Sequence, residues 1–141
     1  MIAVMGKLMD SWHSLLNGVI SVPVYKEGSV PETIESSYVE LRAESASEDD
    51  TKHSFRSDEI VITDIVTMLN LAVDRSLCEA IDDQIKQLIR PTSQTHGLAA
   101  QSGMQILFVY PETTNYLEEY DSGKKYYRKI VRYRNRIVQT T

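Results

Sequence analysis

The sequence predicts an α+β fold, in which two helices pack on one face of a mixed, mainly antiparallel sheet. Two stretches, 4–17 and 75–90, show the apolar spacing of amphipathic helices. The stretches between and after them alternate or are rich in β-branched residues, which gives the element order α-β-β-β-α-β-β. A chain of 141 residues fits one domain with a core of its own, so we expect a single domain over 1–141.

The first helix is defined by one apolar stripe, which consists of Met5, Leu8, Met9, Trp12, Leu15, Leu16 and Val19. Asn17-Gly18 ends it, because Gly accepts the left-handed conformation of a helix C-terminus without strain. Lys7 and Asp10 interrupt the apolar character. We therefore interpret this stretch as a helix of the fold rather than a signal peptide.

Three strands are expected before the second helix. Residues 20–26 form a short strand at an edge, since Pro23 has no N–H to donate to a neighbour. A strand of about seven residues follows from Tyr38, because apolar and polar residues alternate there. Residues 59–68 are β-branched and apolar, which is typical of a buried strand, and Asp64 within them needs a charged partner or water.

The polar, acidic stretch 44–58 has two interpretations. It is either a long hairpin loop or an extension of the flanking strands as a solvated ribbon. The composition favours neither, because polar residues suit both.

The second helix, 75–90, buries Leu77, Cys78, Ile81, Ile85, Leu88 and Ile89. Asp82, Asp83 and Lys86 are expected to face water. Pro91 ends the helix, and 92–103 is expected to be a polar, mobile loop.

The final part of the chain is expected to hold two strands. Residues 104–110 are strongly apolar, which predicts a central strand, and 111–124 are expected to be a connection with a turn at 121–123. The last strand, 124–138, alternates along its length. One of its faces carries Tyr127, Val131, Tyr133 and Ile137, and the other carries Arg128, Ile130, Arg132, Arg134 and Arg136.

Charge is distributed unevenly along the chain. Residues 124–141 contain seven basic and no acidic residues, whereas the first 123 residues contain eight basic and all twenty acidic residues, a net charge of −12. The overall charge of −5 argues against general nucleic-acid binding. The asymmetry suggests a molecule whose copies attract one another head to tail.

The sequence contains no recognisable catalytic or cofactor motif. His13, His53 and His96 lack ligand-like spacing, and we expect Cys78 to be a small buried hydrophobic residue. The acidic residues of 48–59 lack the spacing of a calcium-binding loop. We therefore expect no metal site, no cofactor and no catalytic residues.

The basic last strand, with its interleaved tyrosines, has three interpretations. It is a solvated strand face, a platform for single-stranded nucleic acid, or a contact with an acidic protein surface. The acidic remainder of the chain repels phosphate, which places the protein contact first.

The layout also resembles that of a known family. The first helix ends in LLNG, a V-P-V-Y strand and a Pro-containing loop follow, and SSYVEL opens the next strand. The second helix has the form D-x-x-I-x-x-L-I, and the chain closes with YYRKIVRYRNRIV. This order resembles the tail-terminator (tail-completion) proteins of long-tailed bacteriophages and prophages.

The resemblance implies a non-enzymatic protein of the virion tail or neck, assembled in the cytoplasm of the host bacterium. Its partners would be other copies of itself in a homohexameric ring, the tail-tube protein, and a head–tail connector or neck protein. No membrane partner is implied, and nucleic acid enters only as DNA passing through the ring lumen. Other neck, connector or tail-tube subunits share this small mixed sheet and stay open as alternatives. A small cytoplasmic adaptor or a single-strand nucleic-acid-binding domain is a further alternative.

For a ring, the charge pattern suggests a specific subunit interface. We expect arginines of the last strand to meet acidic residues of the 44–59 ribbon on the next subunit. The residues concerned are Arg128, Arg132, Arg134 and Arg136 on one side and Glu48, Asp49, Asp50, Asp58 and Glu59 on the other.

Overall fold

The computed structural model describes residues 4–33, 36–51, 54–69, 75–99, 103–121 and 124–139. These contain two helices and a five-stranded mixed sheet, and the predicted α+β class and element order are confirmed. In chain order the elements are α1 (Val4–Leu16), β1 (Val24–Lys26), β2 (Tyr38–Thr51), β3 (Ser54–Leu69), α2 (Ser76–Ile89), β4 (Met104–Asp121) and β5 (Lys124–Gln139). None of the described helices has the length and apolar character needed to cross a lipid bilayer.

The strands lie in the order β1-β2-β3-β5-β4. β1 runs parallel to β2, and every other neighbouring pair is antiparallel. The sheet therefore consists of two long hairpins, β2–β3 and β4–β5, joined where β3 pairs with β5, with the short β1 added at the outer edge of β2.

The position of β4 corrects one prediction. Its apolar stretch 104–110 was expected in the centre of the sheet, but β4 is an edge strand, and the basic β5 lies between β3 and β4. The apolar residues of this stretch are explained by helix packing instead: Met104, Ile106 and Val109 are buried in the core on one face of β4.

The connection expected over 111–124 is also wrong, because β4 continues through it to Asp121. The strand passes Pro111 by shifting register against β5, once between Ile106 and Phe108 and once between Pro111 and Thr113. Such irregularities, at an edge where a missing N–H is tolerated, let a strand continue past proline.

The acidic stretch 44–58 extends the flanking strands as a ribbon, which is the second of its two interpretations. β2 pairs with β3 as far as Thr51 and Ser54, with a register shift between Ser45 and Ser47. β1 is shorter than expected, since only Val24–Lys26 pair with β2, and the Pro23 carbonyl accepts a hydrogen bond from the Val39 N–H at 3.0 Å.

Both helices contribute to the core on one face of the sheet. Trp12 of α1 is fully buried, its ring centre lies 5.0 Å from that of Tyr133, and its Nε1 donates to Asn135 Oδ1 at 3.0 Å. Alternation on β5 places Tyr127, Val131, Tyr133 and Ile137 on this face, as predicted. We call it the helix-covered face, and the opposite side of the sheet the open face.

Candidate functional site

The arginines singled out from the sequence lie on the open face and are paired with carboxylates of the neighbouring strands. The Arg132 guanidinium donates to Glu44 of β2, with Nη2 2.9 Å from Oε1. Arg134 lies 2.7 Å from Glu112 of β4 and 3.1 Å from Asp58 of β3. The basic strand therefore meets acidic side chains within its own chain.

The other two arginines follow the same pattern. The Nη2 of Arg136 donates to Asp58 Oδ2 at 3.1 Å. Arg128 bridges Asp64 on β3 and Glu119 on β4, the latter at 2.7 Å. Asp64 is almost fully buried and also lies 3.3 Å from Arg42, so the charged partner that its sequence position demanded is present.

These pairs hold the carboxylates in their charged form. A hydrogen bond from Arg132 lowers the pKa of Glu44. For Asp58, desolvation raises the pKa, but hydrogen bonds from Arg136 and Arg134 outweigh it and the net shift is downward. The open face is consequently close to charge balance rather than basic.

The acidic members of the expected interface are separated by the fold. Asp58 lies on the open face, whereas Glu59 faces the helices, and its carbonyl accepts a hydrogen bond from Asn135 Nδ2 at 3.1 Å. The backbone of Glu48, Asp49 and Asp50 belongs to β2, but their side chains lie outside the described residues. The contact expected with a neighbouring subunit therefore stays a prediction.

A buried charge cluster on the helix-covered face was missed from the sequence. Lys129 of β5 is 4% exposed, and its Nζ lies 2.6 Å from Asp82 and 2.7 Å from Glu79 of α2. Asp82, expected to face water, is 1% exposed and also pairs with Lys86 at 2.8 Å. The sequence did contain a sign of this position: Lys129 is two residues from Tyr127 and from Val131, and side chains two residues apart on a strand point to the same face.

The cation and the carboxylates of this cluster stabilise one another in their charged forms. Desolvation lowers the pKa of Lys129, but the hydrogen bonds to Asp82 and Glu79 raise it by more, so the ammonium stays charged. The hydrogen bond from Lys129 lowers the pKa of Glu79, which also accepts one from the Tyr116 hydroxyl at 3.0 Å. The cluster thus ties α2 to both β4 and β5.

Beside this cluster, cations lie over tyrosine rings at the start of α2. The Arg75 guanidinium lies 5.9 Å from the Tyr116 ring centre and 5.6 Å from that of Tyr127. Lys125 lies 5.0 Å from the Tyr127 ring and 5.2 Å from the Tyr120 ring. We call these five residues the cation–tyrosine strip. They adjoin a small cavity of about 40 Å³, which Arg75, Tyr116 and Tyr127 help to line.

The cysteine and the histidines considered in the sequence analysis are the remaining candidate functional residues. Cys78 is buried, and desolvation raises the pKa of its thiol, which agrees with the prediction of a small buried hydrophobic residue. His13 and His96 each contact a backbone carbonyl, that of Val24 at 3.0 Å and that of Ile106 at 2.8 Å; His53 lies outside the described residues. Within the described ranges, no three His, Cys, Asp or Glu residues are grouped to hold a metal ion.

Comparison with known proteins supports the fold. No protein-family model matches the sequence, and no curated protein matches it. Among solved structures, the chain is similar to one from the virion of a native gene transfer agent particle, with a TM-score of 0.74 and 16% identity. The similarity covers 98% of this chain and 99% of the other. At that identity, the match shows that the two chains share a fold over nearly their whole lengths.

Proposed function

We propose that the chain is a structural, non-enzymatic subunit of a phage-like virion. The observation that supports this is the similarity to a chain of a gene transfer agent virion, which covers 98% of this chain and 99% of that one. Within that class we propose the tail-terminator role, in which a hexameric ring closes the tail tube and presents a surface to the head–tail connector. The support for this finer role is the order of sequence features from LLNG to YYRKIVRYRNRIV.

The sheet has two edges through which neighbouring copies could join. β4 is the outermost strand on one side. On the other side β1 pairs only with Val39–Leu41 of β2, so the described part of β2 beyond Arg42 has no outer strand. A heterologous contact that pairs these two stretches, and that closes into a ring, leaves neither of them as an unpaired edge.

The strand register aligns part of β2 with part of β4 across the width of the sheet. Glu44 is level with Tyr110 through β3 and β5, and Asp49 is level with Gln105. Copies set side by side would bring 44–50 of one against 104–110 of the next in antiparallel orientation. Leu107 and Phe108, at 42% and 40% exposure, would be covered by this contact.

Native mass spectrometry over a range of concentrations, followed by negative-stain imaging, tests the proposal. We expect a hexamer that forms a closed ring, alone or on the ends of isolated tail tubes. A protein that stays monomeric alone and leaves tube ends uncapped contradicts the terminator role. A ring that decorates tubes along their length, or the head vertex, supports the alternative of a tail-tube, neck or connector subunit.

The predicted arginine interface has a test of its own. We expect Arg132→Glu to weaken ring assembly, because it places like charges against acidic residues of a neighbouring subunit. The matched control is the swap Arg132→Glu with Glu44→Arg, which restores the pair inside the chain. If the swap restores assembly fully, Arg132 acts only within its own subunit and the predicted interface is wrong.

The nucleic-acid alternative makes an opposite prediction. A single-strand platform needs free cations, whereas the four arginines of β5 are paired with carboxylates on neighbouring strands. We expect no oligonucleotide binding at physiological salt. Salt-sensitive binding that Arg132→Glu abolishes would favour this alternative instead.

A further inference from the structure

Five of the seven exposed large apolar residues in the described part of the chain belong to β4. Three of them, Tyr116, Leu117 and Tyr120, lie in its second half, at 51%, 43% and 73% exposure. There, from 112 to 120, every residue is exposed, and α2 contacts the strand only in part, where the Tyr116 hydroxyl donates to Glu79. An apolar strand segment exposed on both faces and at its edge is a site for pairing with another chain.

This segment lacks the devices that usually protect a sheet edge. Both register shifts and the proline of β4 lie before Thr113, and from Thr113 to Tyr120 the pairing with β5 is regular. Its charges do not repel a partner either, because Glu118 and Glu119 are each paired with a cation of the chain. Among the described residues no strand pairs with the outer edge of β4, so the backbone of 113–120 can accept an added strand.

Side-by-side contact between copies would leave this segment uncovered. Thr113 is level with Arg42, and 114–116 are level with 39–41 of β2, which β1 already covers. Leu117 is level with Tyr38, the first residue of β2, and 118–120 extend beyond the paired part of β2. If 113–120 binds another molecule, that molecule is therefore not a neighbouring copy in the ring. The charged side chains around the segment indicate what kind of molecule it is.

The cation–tyrosine strip beside the segment carries an excess of positive charge. Arg75 and Lys125 share one carboxylate, Glu118, at 3.3 and 3.5 Å. Lys129, the next cation along, is already balanced by Asp82 and Glu79. Opposite charge on a partner would meet Arg75 and Lys125, of which Arg75 is 61% exposed.

We propose that 113–120 and the cation–tyrosine strip bind an extended, acidic segment of another protein, which adds to β4 as a sixth strand. Its backbone pairs with the edge of β4, and carboxylates at every second residue face Arg75 and Lys125. This inference stands on the edge and its charges, and it does not require that the chain form a ring.

A peptide fits this surface better than a nucleic acid. The ring of Tyr127 lies against Arg75 and Lys125, and that of Tyr116 lies against Arg75 and Lys129. These faces are therefore occupied where a base would stack. An unpaired strand edge also offers hydrogen bonds that a peptide backbone satisfies and a base does not.

Fluorescence anisotropy with a labelled peptide of alternating glutamate and valine tests the proposal on the intact protein. We expect saturable binding that weakens with salt and that Arg75→Glu with Lys125→Glu weakens by about tenfold or more. Arg90→Glu is the matched control, because Arg90 lies at the other end of α2 and donates to the Ser93 carbonyl. A lysine–valine peptide should not bind.

A second probe leaves the protein unchanged, so it is independent of any folding defect in the variants. The same acidic peptide with alternate amides N-methylated keeps its charge but cannot donate to a strand edge, and we expect it to bind at least about tenfold more weakly. Equal binding of both peptides, no binding of either, or tighter binding of single-stranded oligothymidine overturns the proposal. A protein that binds the acidic peptide but forms no ring, either alone or on tube ends, supports this inference and contradicts the terminator role. A ring that does not bind the peptide supports the terminator role and contradicts this inference.

Discussion

Lys129 joins α2 to the sheet through a buried ion pair with Asp82. Replacing Lys129 with methionine keeps the length and removes the charge, which leaves the buried Asp82 with only Lys86 as a partner. We expect Lys129→Met to lower the free energy of unfolding by about 3–5 kcal/mol, because a buried carboxylate is left undercompensated. Urea unfolding followed by circular dichroism measures this.

Lys86→Met is the control, since Lys86 contacts the same carboxylate from a more exposed position. A pair between residues four apart on a helix surface contributes little, so the expected loss is about 1 kcal/mol or less. Equal losses for the two variants would show that the burial of Lys129 does not matter.

On β5 the sequence predicted which residues face the core, but not their partners. On the helices it was wrong for Leu77 and Val19, which were assigned to the apolar stripes and are exposed. Alternation on β5 identified Tyr127, Val131 and Tyr133 correctly, because strand geometry fixes the face of every second residue. The same rule places Lys129 and Asn135 inside, and only the packing of α2 and α1 shows what satisfies them. Asp82 was assigned to water because no local pattern reveals a cation from a strand about 50 residues away along the chain.

The segment after α2 is held against the helix end at Gly97. Its N–H donates to the Ile89 carbonyl at 2.9 Å, and a Cβ at this position would lie 2.0 Å from the Leu88 carbonyl oxygen. We expect Gly97→Ala to destabilise the fold by about 1–3 kcal/mol in thermal or urea unfolding, since backbone must move to admit the methyl group.

Gly6→Ala is the matched substitution in α1, where a Cβ meets nothing within 4 Å. Alanine has the higher helix propensity, so this variant should be neutral or more stable by up to about 1 kcal/mol. A similar loss in both variants would point to a general effect of replacing glycine rather than to the close approach at Leu88.

The elements with a clear pattern of apolar residues were predicted well, whereas the edge strand β4 was not. Both helices follow from their apolar stripes, and β3 follows from its β-branched residues. The second half of β4 was mistaken for a connection, because Pro111 and the polar residues after it usually indicate a loop. An edge strand exposed on both faces has no core to impose alternation, so its sequence carries no strand signal.

Over the whole molecule, the fold depends on carboxylates held in the charged form. The pKa values of Glu44, Asp58, Glu79 and Glu118 are all lowered in the folded chain. A group with a lowered pKa contributes stability above its unfolded pKa and loses it as the pH falls through its folded value. We therefore expect constant carboxylate stabilisation at neutral pH and a progressive loss below about pH 4.5, the ordinary carboxyl range.

Urea unfolding from neutral pH to about pH 3 checks this, with Asp58→Asn as the comparison. Because Asp58 accepts from both Arg134 and Arg136, the variant should be less stable at neutral pH and lose less on acidification. Stability that stays flat through the acidic range would contradict the role of these pairs.

Charge is also the property for which the sequence was most misleading at this scale. A basic last strand and an acidic body suggested two separate surfaces of opposite charge. The sheet order places β5 between the acid-bearing β3 and β4, so most of that contrast is resolved within one chain. Sequence shows how charge is distributed along the chain, but only strand order shows how it is distributed in space.

The place of β5 has a consequence for how the protein is made. It follows β3 and β4 in the chain, yet it is the strand that lies between them in the sheet. Until β5 emerges, β1, β2 and β3 have an unpaired edge at β3, and β4 has no neighbouring strand. Nascent chains therefore expose the edge of β3 from the synthesis of β3 until that of β5, when both β3 and β4 gain their partner.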